Sequence, residues 1–113
     1  MQGTIKSGAR IDLMFQQGAH FNSRELSLIT FSDDEMQRDP ALSGRVAFIA
    51  GKRLGNAVIR NRSKRVLRAA AYEAGLPVAG HDVILIANRR TRFVKHDELV
   101  ASLCRLLKKA GLR

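Results

Sequence analysis

Residues 52–68 read KRLGNAVIRNRSKRVLR, and the organisation of the whole chain follows from how that stretch is read. Seven of its seventeen positions are cationic, namely Lys52, Arg53, Arg60, Arg62, Lys64, Arg65 and Arg68, and none is Asp or Glu. The stretch predicts a helix opening near Asn56, whose side-chain oxygen can cap the exposed amides of the first turn. With about 100° per residue and Arg60 as zero, Lys64 falls near 40°, Arg68 near 80°, Asn61 near 100°, Arg65 near 140° and Arg62 near 200°. Ile59, Val66, Leu67 and Ala70 fall between about 240° and 340° on the same wheel. One side can seal against a core while the other carries a row of cations. Like charges spaced i, i+4 repel, as in Arg60, Lys64 and Arg68, so an exposed helix ordinarily mixes signs. Such a face makes physical sense against a polyanion.

The totals agree. A chain of 113 residues supports one domain, 1–113, with one modest core. The hydrophobic fraction of 45% is ordinary for a folded protein and argues against wholesale disorder. The net charge of +10 argues for a polyanionic partner. That charge is segregated: residues 1–44 hold four basic and six acidic side chains, residues 45–113 sixteen and four. Segregation points to a binding surface rather than to solubility. Cys104 is the only cysteine, which excludes an intramolecular disulfide and a thiolate zinc site. No apolar run has the length of a membrane span and no signal-peptide core opens the chain, so the expected compartment is the cytoplasm. There are no internal repeats or low-complexity tracts.

Outward from the basic stretch, Arg45 to Lys52 reads as a strand, apolar on both faces, that feeds the helix through Arg53-Leu54-Gly55-Asn56. The helix is expected to end near Tyr72 or Ala74, with Gly75 and Pro77 as stop signals. Asp82 to Ala87, DVILIA, is a nearly continuous apolar run and fits a parallel or central strand buried on both faces. Asn88 to Arg92 forms a second, smaller basic cluster in a loop. A final helix follows from about Lys95 to Ala110, with Leu99, Leu103, Leu106, Leu107 and Ala110 on one stripe and Cys104 packed beside it. Toward the N-terminus, Ile11, Met14 and Phe15 mark a short amphipathic helix over Ala9–Gln17 that Gly18 ends. On spacing alone Phe15 belongs to the core, the alternative being a ring that faces a groove and stacks on a base. Leu26 to Phe31 alternates as a half-buried strand, Leu26, Leu28 and Thr30 opposite Ser27, Ile29 and Phe31. Ser32 to Gly44 reads as an acidic loop; Asp33, Asp34 and Glu35 lack the spacing of a calcium loop. The order helix, strand, strand, helix, strand, helix describes an α/β sandwich of helices on a small sheet.

A catalytic constellation is missing. His20, His81 and His96 are widely separated and match no metal-ligand spacing. Nucleophile-elbow, Walker A and dinucleotide patterns are absent. His96 with Asp97 is the nearest candidate for a general-base pair, but adjacent helical residues do not face each other. Both read better as solvated side chains at the start of the last helix, where Asp97 and Glu98 suit the helix dipole.

The run from Lys52 to Arg68 resembles the signature of the bacterial ribonuclease P protein subunit. Gly55-Asn56-Ala57-Val58 is followed by Arg60-Asn61-Arg62 and, one residue later, by Lys64-Arg65. The resemblance extends over nearly the whole chain, although only 52–68 is sharply diagnostic. It implies an α/β two-layer sandwich in the order α-β-β-α-β-α, with room for small irregular strands and a left-handed strand–helix–strand crossover against the usual rule. It further implies an endoribonuclease holoenzyme in which a large RNA removes the 5′ leader of precursor tRNA and the protein carries no catalytic residue. Its implied partners are that RNA and the precursor tRNA leader, with no membrane and no stable protein partner. Mg²⁺ would act through the catalytic RNA and the RNA–protein interface. The residues implied to bind RNA are Lys52, Arg53, Asn56, Arg60, Asn61, Arg62, Lys64, Arg65 and Arg68, with Lys52, Arg53 and Asn56 beside the leader and catalytic centre. Phe15, in its Met-Phe-x-x-Gly context, is implied to line a leader cleft between the first helix and the sheet, with Ile11 and Ile29.

The chain departs from the family pattern at three positions. Ile11 and Ile29 stand where aromatic residues are frequent, and can give apolar contact but no stacking. Ala69 stands where an acid is common, which removes a surface ion pair of small value. Rival readings are a structural RNA-binding module, a DNA-binding helix and a stand-alone nuclease. The compact Arg-Asn-Arg-x-Lys-Arg arrangement after Gly-Asn-Ala-Val argues against the first, the all-cationic face outside a helix-turn-helix against the second, and the missing constellation against the third.

Overall fold

The computed structural model describes residues 5, 7–34, 38 and 44–112. Helix α1 (Gly8–Gln17) leads into strands β1 (Ala19–Asn22), β2 (Leu26–Phe31) and β3 (Val46–Ile49). A 3₁₀ turn at Lys52–Leu54 precedes helix α2 (Ala57–Glu73), and strand β4 (Asp82–Ala87) follows. A second 3₁₀ turn at Thr91–Phe93 opens onto helix α3 (His96–Lys109). The four strands form one sheet in the order β1-β2-β4-β3. β4 pairs antiparallel with β2 and parallel with β3, so it is central, as its unbroken apolar run implies. Parallel neighbours cannot be joined by a hairpin. The β3-to-β4 connection is the crossover that α2 supplies.

Strand alternation divides the core in two. Leu26, Leu28, Val46, Val83 and Leu85 face α2 and α3, and cluster with Leu67, Ala70, Ala71, Leu99, Leu103, Leu106 and Leu107. Cys104 packs against this cluster, as its place beside the leucine stripe implies. Ile29, Ala47 and Ile84 face the other way and cluster with Ile5 and with Met14 of α1. Ser7 caps α1, its side chain accepting from the Arg10 amide.

Three details differ from the sequence reading. Strand β1 is an addition: it is four residues long, lies at the sheet edge and is mostly exposed, so it has no apolar alternation to announce it. β3 is shorter than Arg45–Lys52, because the chain turns away after Ile49 and winds into the 3₁₀ turn. Gly18 does end α1, but with φ −72°, outside the left-handed region. Glycine is needed there for space. A Cβ on residue 18 would stand 2.5 Å from the Met14 carbonyl oxygen and 2.6 Å from Ile29 Cγ2. The acidic loop falls largely outside the described residues; within them, Asp33 pairs with Arg10.

Two polar ties hold the layers in register. Asp82, fully buried at the start of β4, accepts from Arg10 Nε of α1 at 2.9 Å and from Arg45 NH2 at 3.0 Å. Its other oxygen accepts from the Arg45 amide at 3.1 Å. Burial alone would lower the Arg10 pKa, but the hydrogen bonds to Asp82 and Asp33 outweigh it and raise it above the ordinary value. In the second tie, the Ser102 hydroxyl of α3 donates to Glu25 Oε2 at 2.6 Å, and Arg105 donates to the Ser102 oxygen. Ser102 is the main cause of a Glu25 pKa below the ordinary 4.5.

Asp82→Ala leaves the Arg10 and Arg45 guanidiniums without their shared carboxylate. A loss of about 3 kcal/mol in urea unfolding is expected, at the low end for a broken buried pair because Arg45 can turn to solvent. Unchanged stability would show that the tie contributes nothing. Because the Glu25 pKa is depressed in the folded state, its contribution is present above pH 4.5 and is lost as pH falls through the lower folded value. Ser102→Ala raises that folded value toward 4.5, so stability measured downward from pH 5 should fall less steeply than in the parent. An identical acid slope would contradict the tie.

Candidate RNA-facing surface

Asn56 caps α2, its side-chain oxygen accepting from the Ile59 amide at 3.0 Å. Just before it, Gly55 has φ 134°, a conformation open to glycine and hard for any other residue, which lets the 3₁₀ turn stop and the helix start within two residues. The buried side of α2 is narrow and built from small groups: Ser63, Leu67, Ala70 and Ala71. Ser63 returns its hydroxyl to the Ile59 carbonyl, so a polar residue is accommodated on that seam. Ile59 and Val66 are only half-buried, at the flank of the stripe rather than its centre.

The cations occupy the rest of the circumference, in two groups. Arg60 and Arg68 flank β3. Arg60 Nε donates to the Ala50 carbonyl at 3.0 Å, and the Arg68 guanidinium lies 5.4 Å from the Phe48 ring centroid. Both stems are held against the sheet edge. Asn61, Arg62 and Arg65 stand exposed on the crest and the opposite flank, with Lys64 half-buried between the groups. Lys52 and Arg53 are exposed on the 3₁₀ turn. Among the described residues the ion pairs involve Arg10, Arg45 and His96, and no cation of α2. The density of positive charge on this helix is therefore uncompensated by the protein.

The face of the sheet that carries α1 is only partly covered. In register, His20, Ile29, Ile84 and Ala47 form one row across the four strands, and Asn22, Ser27, Ile86 and Ile49 form the next. Met14 closes over the first row, where Ile29 is 1% exposed. The second row, with Ile49 and Ile86 half-buried, continues beyond the helix. Phe15 stands at the rim, 42% exposed, its ring edge-on to His20 at 6.3 Å, while His20 Nε2 meets the Phe15 carbonyl oxygen at 3.0 Å. Phe15 is thus exposed, which corrects the core assignment that its spacing suggests. Ile29 is corrected in the opposite sense. It is sealed under Met14 and can only support the groove, because the row that alternation opens to solvent is its neighbour, Ser27 and Ile86. Ile11 is half-buried and packs against the cluster that holds Met14.

His20, Ile49 and Ile86 were not visible as groove residues in the sequence. Their place depends on strand register, and β1 carried no signal. His96 is exposed at the start of α3, as the sequence implies, and its ring nitrogen also contacts the Glu73 carboxylate at the end of α2. Among the described residues, no three His, Cys, Asp or Glu side chains gather as a metal site, and no helix is long and apolar enough to cross a membrane.

A cationic helix on one face of a small mixed sheet and an open, partly apolar groove on the other define a basic α/β protein suited to an extended polyanion. A family model described as Ribonuclease P matches residues 2–111. The ribonuclease P protein component of Oceanobacillus iheyensis is 35% identical over 112 residues, covering 98% of this chain and 88% of that one. That of Gluconacetobacter diazotrophicus is 42% identical over 78 residues, 67% of each chain. The structure of the Staphylococcus aureus RNase P protein superposes with a TM-score of 0.78 at 25% identity, covering 99% of this chain and 98% of the other. The chain belongs to the ribonuclease P protein family, whose function is in tRNA processing.

Proposed function

We propose that this chain binds the RNA subunit of ribonuclease P through α2 and the 5′ leader of precursor tRNA through the groove beside α1, promoting endonucleolytic removal of the leader. The observation that carries this reading is the set of α2 cations without carboxylate partners, on a helix whose opposite side is fully committed to the core. In this account the RNA performs the chemistry. The protein contributes attraction, positioning and screening.

Arg62, Lys64, Arg65 and Asn61 meet the RNA backbone, while Arg60 and Arg68, braced on Ala50 and Phe48, fix the angle at which the helix is presented. Each phosphate neutralised releases counterions, so affinity falls steeply with salt. Contacts of this kind set register on the RNA without reading its bases. Lys52, Arg53 and Asn56 lie where β3 leaves the groove and α2 begins, and so join the two surfaces beside the cleavage point. In the groove, Phe15 and Ile11 offer apolar contact, and Phe15 a ring on which an unpaired base can stack. By lowering phosphate repulsion the protein reduces the Mg²⁺ that the RNA requires; the ions themselves belong to the RNA and its interface. The compartment that fits this work is the cytoplasm.

Arg62→Glu with Arg65→Glu tests the assignment of the helix face. Both side chains are exposed, so circular dichroism and melting should be unchanged. Affinity for ribonuclease P RNA should fall roughly 100-fold near physiological salt, from two lost charge-assisted contacts. The slope of log K against log salt should become shallower by about two. Parent-like affinity in the double variant would remove α2 from the interface.

A further inference from the structure

One flank of α2 has a feature that phosphate binding leaves unexplained. Between the helix and the segment leading into α3 lies an open hollow of ≈ 450 Å³, lined by Arg62, Arg65, Val66, Ala69, Val94 and His96. That volume is within the range of about 300–1,000 Å³ usual for clefts that take small organic groups. A second hollow of ≈ 260 Å³ adjoins it, with Val58, Ile59, Arg92 and Phe93 around the same Arg62. Val58 and Phe93 are 72% and 73% exposed, and the Arg92 guanidinium lies 4.5 Å from the Phe93 ring centroid.

The chemistry of the larger hollow is mixed in a specific way. Its floor is apolar, from Val66, Ala69 and Val94. Its rim is cationic, from Arg62 and Arg65, and one wall is the His96 ring, held by Glu73. A phosphate alone gains nothing from the floor, and an apolar protein side chain gains nothing from the arginines. A nucleotide matches both, with a flat base for the floor and an anionic phosphate for the rim. The base must be unpaired, because the paired bases of an A-form helix are withdrawn into a deep, narrow major groove. Ala69 keeps the space open: it is exposed on the helix, and a longer side chain there would occupy the hollow.

We infer that the hollow between α2 and Val94–His96 receives one unpaired nucleobase of the RNA bound along α2, with that nucleotide's phosphate on Arg62 or Arg65. The inference rests on the reading of α2 as the RNA-binding helix. It adds a point of base contact to a surface that otherwise touches only backbone, and so fixes the position of the helix along the RNA. Phe93, beside Arg62 and Arg92, offers the adjoining nucleotide a ring.

The test is Ala69→Leu, which fills the hollow without changing charge and suits a helix. The intact chain is bound to a ribonuclease P RNA and probed with base-selective reagents, dimethyl sulfate and a carbodiimide, which together report on all four bases. The parent should protect at least one unpaired base that reacts in the free RNA, and the variant should expose it while other protections persist. Affinity should fall about 10-fold, from the lost burial of one base face on the apolar floor. The salt slope should stay the same, because the phosphate contacts remain. Parent-like affinity and protection in the variant would overturn the proposal. So would an affinity loss with a shallower salt slope, which would mean displaced phosphates. A parent chain that does not bind the RNA at all would overturn the reading of α2, and this inference with it.

Discussion

The seam along which α2 meets the sheet is the constraint on which the other features depend. Ser63, Leu67, Ala70 and Ala71 form a strip only a few side chains wide, and Leu67 with the alanines joins the cluster of Leu28, Val83 and Leu85. Because β3 and β4 run parallel, the chain must cross the sheet between them, and this strip is what holds the crossing in place. A narrow strip leaves most of the circumference to solvent. The cations can then spread over more than half the helix without entering the core, and their stems brace on the Ala50 carbonyl and the Phe48 ring. Like-charge repulsion along α2 is tolerated because burial of the strip, together with the Asn56 cap, stabilises the helix independently of its charges.

The same sheet serves two surfaces. Strand alternation sends Leu28 and Leu85 toward α2 and α3, and Ile29 and Ile84 toward α1. Since α1 has only ten residues, it covers the Phe31–Asp82 and Ile29–Ile84 rows of that second face and leaves the next row, Ser27 and Ile86, only half-buried. Gly18 permits its close approach, and Asp82 ties it to the central strand through Arg10. Groove and cationic helix therefore share β3, whose last residues pass directly into Lys52, Arg53 and Asn56. A leader in the groove and an RNA on α2 would meet at that junction without competing for the same side chains.

Much of this arrangement was legible in the sequence. The cationic and apolar arcs of α2, its Asn56 cap, the doubly buried β4 and the leucine stripe of α3 are local patterns, set by periodicity and composition. What escaped was set by register and by space. β1 is an exposed edge strand whose only definition is its pairing with β2. Phe15 and Ile29 exchanged roles because helical spacing shows which residues share a stripe, not where the covering helix ends. The hollow beside Ala69 needs α2 and Val94–His96 together, and these segments are brought near each other only by the fold. The resemblance of 52–68 to the ribonuclease P signature supplied the functional class, which charge alone would have left at polyanion binding.

The most direct measurement is cleavage of precursor tRNA by a bacterial ribonuclease P RNA at low magnesium, with and without this protein. Strong stimulation is expected when both are present, with no cleavage by the protein alone. Tight RNA binding without stimulation, or cleavage by the protein by itself, would contradict it.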